Sequence, residues 1–258
     1  MSVKQSLCYP TLKWPVDQLG RLFRDAADIG FHAVEMWGPP ENLEQLVAFA
    51  SECRLTVASM VGHKSLGQGL NDPANHSRIA DELTASIETA GRLGIGGLIC
   101  FAGNRRQGVG DDEAIDVIAE GFSKVAPAAE QAGVNLNMEL LNSKIDHAGY
   151  QSDRTEFGIR VCRKVGSPRV KLLYDIYHMQ IMEGDVIRTI RENIGHIGHF
   201  HTAGVPGRGN LDDTQELNYR AICRAISESG YDRYVGHEFK PSGDTMESLR
   251  EAFETCDV

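Results

Sequence analysis

Short apolar runs alternate with longer amphipathic stretches along the whole chain. Residues 75–93 are typical of the longer stretches, because Ile79, Leu83, Ile87 and Ala90 follow the 3.6-residue period of a helix. A glycine commonly stands between a helical stretch and the next apolar run, where a helix C-cap needs a positive φ. These glycines are Gly30, Gly94, Gly133, Gly166 and Gly230. The pattern indicates a repeated unit of one helix and one strand.

The repeat predicts eight strands, at residues 5–9, 33–37, 56–62, 97–102, 134–140, 170–176, 197–202 and 234–239. Eight helices are predicted at residues 15–29, 41–53, 75–93, 111–132, 153–165, 186–193, 218–229 and 245–256. Eight such units in 258 residues are typical of a (β/α)8 barrel. A doubly wound open sheet is the alternative, but its usual glycine-rich first turn is missing from SLCYPTLKWP. We therefore expect an α/β protein with a single domain over residues 1–258, a (β/α)8 TIM barrel.

The chain is acidic, with a formal net charge of −10 at pH 7. An acidic surface argues against nucleic acid or an anionic membrane as a partner. The segment MSVKQSLCYPTLKW lacks the apolar core of a signal peptide, and no window approaches the roughly 18 apolar residues of a membrane span. The six cysteines are far apart and are interpreted as reduced thiols. These features predict a cytoplasmic protein, and they leave open whether it forms a homo-oligomer.

Four apolar runs in the second half of the chain end in an acidic residue or a histidine, namely Glu139, Asp175, His201 and Glu238. In a barrel of this kind the C-terminal strand ends face one active site. Three carboxylates crowded together would repel one another unless a positive charge lay between them. We therefore expect the four side chains to surround a divalent metal ion.

The expected ion follows from the type of these ligands. Carboxylate oxygens with one imidazole suit Mn²⁺ or Mg²⁺, with Co²⁺ and Zn²⁺ as alternatives. The competing interpretation is that each residue caps a neighbouring helix or pairs with a nearby lysine or arginine. No GxxxxGK[ST] phosphate loop is present, and no organic cofactor is expected.

Four further residues near the strand ends are candidates for substrate binding. His178 follows the sixth strand and can reach the same cavity. Arg208, in the loop after the seventh strand, can hold a carboxylate by two parallel hydrogen bonds. His63 ends the third strand and Lys240 follows the eighth, so that either can contact an anionic substrate. An ordinary loop or surface role is the alternative for each.

Two more polar residues are expected inside the barrel. Glu35 is interpreted as an interior residue that pairs with an arginine, and it is not assigned to the metal. His199 and His201 lie on one face of their strand, because side chains alternate along a strand. His199 lies deeper, so only His201 is assigned to the metal.

The segments NMELLN, LYDIYHM, HFHTAGVPGR and GHEFKP together resemble the hydroxypyruvate isomerase family of the xylose-isomerase-like TIM barrels. The resemblance covers nearly the whole chain. It implies that Glu139 and Glu238 bind the metal and carry the proton during catalysis. It also implies that Asp175 and His178 are the aspartate and histidine of the family's DxxH motif.

The activity that this resemblance implies is isomerisation of a small α-hydroxy carbonyl compound without a redox cofactor. The metal would hold the carbonyl and hydroxyl oxygens and acidify the neighbouring C–H. One glutamate would remove that proton to give a cis-enediolate, and the same or the other glutamate would return a proton to the adjacent carbon. Hydroxypyruvate would give tartronate semialdehyde, with Arg208 or another cationic group on its carboxylate.

Three alternative functions stay open. The first is a keto-sugar 3-epimerase or another sugar isomerase. Sugar 3-epimerases of the superfamily have a glutamate six residues after the first metal glutamate, where this chain has Ile145. The apurinic-site endonuclease branch uses three metals and extra histidines at the third and fourth strand ends. His63 can serve as one of these, but LICFAGNRR offers none. The third alternative is a non-catalytic metal-binding barrel, against which the intact pair Glu139 and Glu238 argues.

Overall fold

The computed structural model describes residues 2–258, apart from the side chain of Val16. Within that range, parallel strands close into one barrel in which each strand pairs with the next and the last pairs with the first. The strands are β1 (Lys4–Cys8), β2 (Ala33–Met36), β3 (Thr56–Val61), β4 (Gly97–Cys100), β5 (Asn135–Glu139), β6 (Val170–Asp175), β7 (Ile197–Thr202) and β8 (Tyr234–His237). The predicted (β/α)8 barrel is confirmed, and every strand begins and ends within two residues of its predicted bounds.

The helices of the described residues cover the outside of the barrel. They are α1 (Leu19–Ile29), α2 (Leu43–Glu52), α3 (His76–Leu93), α4 (Asp111–Ser123), α5 (Ala126–Ala132), α6 (Thr155–Val165), α7 (Ile176–Met182), α8 (Val186–Asn193), α9 (Tyr219–Glu228) and α10 (Thr245–Cys256). None of the helices in residues 2–258 combines the length and the apolar character that crossing a bilayer requires. All six cysteines are free thiols.

The helix predictions differ from the structure at three points. The helix predicted at 15–29 begins only at Leu19, after a 3-10 turn at Val16–Gln18. The single helix predicted at 111–132 is divided into α4 and α5, and Pro127 lies at the start of α5. Proline has no N–H to continue the helix and its ring clashes with the preceding turn, so the break has a local cause. Helix α7 was not predicted, because it follows β6 without a glycine or polar linker between them.

Helix α3 shows how the outer layer is held on the barrel. Its predicted apolar stripe, Ile79, Leu83, Ile87 and Ala90, is at most 1% exposed. Full burial of each of the larger side chains contributes about 1.5–3 kcal/mol. Gly94 ends the helix with a φ of 72°, a conformation that strains other residues. Helix α3 is therefore held on the barrel by one apolar face.

Strand register brings the polar strand ends to one level. Asp175 of β6 is paired with His201 of β7, and His201 is paired with Gly236 of β8. Glu139 is the last residue of β5, and Glu238 directly follows β8. Because the strands are parallel, all of these residues lie at the C-terminal end of the barrel.

Candidate metal centre

The four polar strand-end residues meet at one point. Each of Glu139, Asp175, His201 and Glu238 is buried and offers one ligand atom, and these atoms lie within 4.8 Å of one another. Mg²⁺ ligands lie at about 2.0–2.1 Å from the ion, so two ligands on opposite sides of it are about 4.2 Å apart. The cluster therefore has the size, as well as the donor types, that a divalent ion needs.

His201 gives the clearest test of this fit. Its Nδ1 lies 3.1 Å from Glu238 Oε2 and 3.7 Å from Glu139 Oε1, yet this buried nitrogen has no partner with hydrogen-bond geometry among the described residues. Burial alone would lower the pKa of His201, but the carboxylates of Glu238 and Glu35 raise it well above the ordinary value. A buried ring nitrogen that faces carboxylates without a hydrogen bond fits a metal ligand.

Asp175 uses its two oxygens differently. Oδ1 accepts a hydrogen bond of 3.2 Å from the main-chain N–H of His178 and so caps α7. Oδ2 lies 3.6 Å from Arg208 Nη2 and 3.6 Å from His178 Nε2. Helix capping, the alternative role considered for these residues, therefore accounts for one oxygen of Asp175 and leaves the other in the cluster.

Glu238 is tightly held. Trp37 Nε1 donates a 2.9 Å hydrogen bond to its Oε1, and Arg208 Nη2 forms an ion pair with its Oε2. Burial alone would raise the pKa of Glu238, but His201 and Arg208 bring it well below the ordinary value. Glu238 is therefore ionised at neutral pH.

Glu139 has a looser environment. Its carboxylate lines the cavity, and its contact with His201 Nδ1, at 3.7 Å, is longer than a hydrogen bond. Burial raises the pKa of Glu139, and the neighbouring Glu238 carboxylate adds to the increase, although His201 partly offsets it. The two glutamates thus differ in environment, one fixed and ionised and the other closer to taking up a proton.

Arg208 points back from the loop after β7 over the end of β8. Its backbone has a left-handed φ of 58°, and its carbonyl accepts a 2.8 Å hydrogen bond from the N–H of Lys240. Its guanidinium carbon lies 5.6 Å from the centre of the Tyr177 ring. These contacts hold a cation beside the carboxylates of Glu238 and Asp175.

His178 is fully buried behind the cluster. Its Nδ1 lies 2.6 Å from Nδ2 of Asn142, an amide nitrogen that can only donate, so Nδ1 carries the lone pair and Nε2 the proton. Burial and the neighbouring Arg208 lower the pKa of His178 well below its ordinary value, which keeps the ring neutral. Its Nε2–H therefore faces the site as a hydrogen-bond donor.

A cavity of about 360 Å³ opens onto the cluster. Its polar side contains Glu139, Glu238 and Arg208, and its other walls are mostly apolar. The remaining lining residues are Trp37, Val61, Lys64, Leu66, Ile99, Phe101, Leu141 and His147. The sequence patterns did not single out Lys64 or His147, although Lys64 directly follows the candidate His63.

Of the four substrate-binding candidates, only Arg208 lines this cavity, and His178, His63 and Lys240 do not. His63 lines a neighbouring groove, where its Nε2 accepts a 2.8 Å hydrogen bond from the N–H of Phe101. Burial lowers the pKa of His63 to about 4. The side chain of Lys240 is exposed. A substrate role for either residue stays a prediction.

The expectation that Glu35 pairs with an arginine was wrong. Its Oε2 lies 2.9 Å from His199 Nε2 and 3.1 Å from His201 Nε2. The two histidines share the inner face of β7, and the barrel is narrow enough for that face to meet Glu35 of β2 across the interior.

Comparison with known proteins gives concordant results. A family model described as xylose isomerase-like TIM barrel matches residues 23–256. The chain is 32% identical over 233 residues to 2-oxo-tetronate isomerase of Cupriavidus necator, an alignment that covers 88% of this chain and 89% of that protein. It is 30% identical over 234 residues to hydroxypyruvate isomerase of Escherichia coli, covering 88% and 90%. The chain also resembles the crystal structure of AP endonuclease, family 2, from Brucella melitensis, with a TM-score of 0.84 and 24% sequence identity. This match covers 96% of this chain and 97% of that one, and it shows a shared fold alone.

Proposed function

Because this chain belongs to the xylose isomerase-like TIM barrel family, we propose that it is a divalent-metal-dependent isomerase of a small 2-oxo acid with an adjacent hydroxyl group. An isomerase of this kind is an intramolecular oxidoreductase, and two of its relatives are named for hydroxypyruvate and 2-oxo-tetronate. Hydroxypyruvate is the proposed substrate and tartronate semialdehyde the product. The observation that carries the proposal is the group of four ligand atoms within 4.8 Å at the wall of a cavity.

The proposed ligands of the ion are Glu139, Asp175, His201 and Glu238, and Mn²⁺ or Mg²⁺ is favoured by their three carboxylates. When bound, the ion would polarise the substrate carbonyl and so acidify the adjacent C–H. Arg208 contributes a further positive charge beside the same carboxylates.

Proton transfer is assigned to the two glutamates. Glu139 lines the cavity, has a raised pKa and is not tied by a short hydrogen bond, which suits a group that removes a proton and then holds it. The proton is returned to the adjacent carbon of the cis-enediolate by Glu139, which holds the proton that it removed. Return by Glu238, which lines the same cavity, requires that this ionised carboxylate first take up a proton from solvent.

Recognition of the acid is assigned to hydrogen-bond donors around the cavity. Arg208 is the proposed partner of the substrate carboxylate, and Lys64 and His147 line the same space. The Nε2–H of His178 is a proposed donor to a substrate oxygen. A neutral sugar lacks the carboxylate that would form an ion pair with Arg208. At the position of the 3-epimerase glutamate, Ile145 is 67% exposed and carries no charge.

The proposal is tested by substrate turnover in three metal states. Purified protein is stripped with EDTA, then assayed alone, with Mn²⁺ and with Mg²⁺, on hydroxypyruvate and on a neutral ketohexose, with products followed by proton NMR. We expect turnover of hydroxypyruvate only when metal is returned. Turnover of the ketohexose alone would assign an epimerase, and full activity without metal would contradict the metal assignment. Glu156→Gln, a change on the outer helix α6, is the matched control for glutamate variants.

A further inference from the structure

Glu35 is a buried carboxylate with three polar partners inside the barrel, His199, His201 and Ser6. It is 1% exposed, and its Oε2 faces the Nε2 atoms of both His199 and His201. Its other oxygen, Oε1, accepts a hydrogen bond from the hydroxyl of Ser6. Oε2 of Glu35 is therefore within hydrogen-bond distance of two imidazole rings, and one of them is the ring of the proposed metal ligand His201.

The direction of these hydrogen bonds follows from the chemistry of the groups. An ionised carboxylate has only acceptor sites, so each imidazole must present an N–H to it. For His201 this places the proton on Nε2. Metal binding requires the neutral ring, because the charged ring carries a proton on both nitrogens. With Nε2 protonated, the neutral ring carries its lone pair on Nδ1, the nitrogen that faces Glu139 and Glu238 at 3.7 and 3.1 Å.

Gly236 of β8 provides the space that the Glu35 carboxylate occupies. A Cβ on Gly236 would overlap Glu35 Oε1 and would also lie 3.0 Å from His201 Cδ2. A glycine therefore allows the carboxylate to reach His201, and the Ser6 hydroxyl keeps the carboxylate from turning.

We propose that Glu35 is a positioning residue that holds His201 with its proton on Nε2 and its lone pair on Nδ1, directed at the metal site. The inference rests on the proposed function, since it requires that His201 bind a metal ion. Carboxylates that orient metal-bound histidines in this way commonly contribute about 10–100-fold in metal affinity. Glu35 touches neither the cavity nor the proposed substrate, so its effect should be transmitted through His201.

The test is metal affinity, measured by calorimetric titration of Mn²⁺ into EDTA-stripped wild-type protein and two variants. Glu35→Gln keeps the side-chain shape but presents a neutral amide to the two histidines, and we expect Mn²⁺ to bind about 10–100-fold more weakly. Glu183→Gln is the matched control, because Glu183 also accepts two hydrogen bonds, from Thr155, but lies away from the site. Its Kd should equal that of the wild type.

A second measurement needs no substitution and therefore covers the case in which Glu35→Gln does not fold. Nitrogen-15 NMR of the wild-type histidines, with Mg²⁺ bound, should show His201 protonated at Nε2 and unprotonated at Nδ1. Equal Mn²⁺ affinity of folded Glu35→Gln and wild type would overturn the role of Glu35 while leaving the metal site intact. Protonation of His201 at Nδ1 would overturn the role of Glu35 and would also remove this nitrogen from the ligand set. Wild-type protein that binds no Mn²⁺ at all would overturn both this role and the metal site.

Discussion

The two proposed catalytic glutamates should respond in opposite ways when each is replaced by glutamine. Glu238 accepts hydrogen bonds from Trp37 and Arg208, whereas Glu139 has no contact shorter than its 3.7 Å approach to His201 among the described charged groups. Glutamine keeps the size of the side chain but removes the negative charge. We therefore expect Glu238→Gln to destabilise the metal-free protein and Glu139→Gln to leave its stability unchanged or slightly raised.

The magnitudes follow from these contacts. Removal of one partner of a buried ion pair costs about 3–5 kcal/mol. Arg208 keeps Asp175 Oδ2 at 3.6 Å, so the loss for Glu238→Gln should be smaller, about 2–4 kcal/mol. For a chain of this size that corresponds to a fall in Tm of roughly 5–15 °C. Burial and the like charge of Glu238 raise the pKa of Glu139, so its ionised form opposes folding at pH 7, and a neutral amide relieves that cost.

The assay is thermal and urea denaturation of EDTA-treated wild type, Glu139→Gln, Glu238→Gln and the control Glu156→Gln at pH 7. Metal must be absent, because ligand binding would itself stabilise the native state. Both active-site variants should lose about 10²-fold or more in kcat when metal is restored. Equal stabilities of the two variants, or greater destabilisation by Glu139→Gln, would refute the assignment of a fixed and a free glutamate.

Three further predictions concern metal, substrate and pH. Asp175→Asn should lower Mn²⁺ affinity, because a charged ligand is lost while its shape is kept; an unchanged Kd by titration would remove Asp175 from the ligand set. Arg208→Ala should raise KM for hydroxypyruvate far more than for a neutral hydroxy-ketone, and equal effects would indicate a structural role. Burial lowers the pKa of His63 to about 4, so the His63 ring takes up a proton more readily in the unfolded chain than in the folded one. The free energy of unfolding should therefore fall as pH decreases from about 6.5 toward 4. His63→Gln cannot titrate and should lose less stability over the same interval in urea denaturation; parallel losses would contradict this explanation.

The barrel strands and the cluster of polar strand ends could be predicted from the sequence for physical reasons. Carboxylates at the ends of apolar strands need a shared compensating charge, and parallel strands bring such ends to one level. Asp175 and His201 accordingly occupy paired positions on β6 and β7. The division between α4 and α5 was not predicted, although Pro127 at the start of α5 is a local signal for it.

Contacts across the barrel interior could not be predicted from local patterns. Glu35 meets His199 over a separation of 164 residues, and Trp37 meets Glu238 over 201 residues. Such pairs depend on strand tilt and on which side chain is small enough to leave room, as Gly236 does. The sequence pattern identified Glu35 as an interior polar residue, but only the closed barrel shows which groups it faces.

The most direct test of proton transfer at this site is turnover of hydroxypyruvate in D₂O by the metal-loaded wild-type protein, followed by proton NMR. If a glutamate carries the proton, the hydrogen at the carbon being protonated should be partly or wholly replaced by deuterium. Complete retention of the substrate hydrogen, together with near-normal rates in both Glu139→Gln and Glu238→Gln, would contradict the account and indicate a hydride shift.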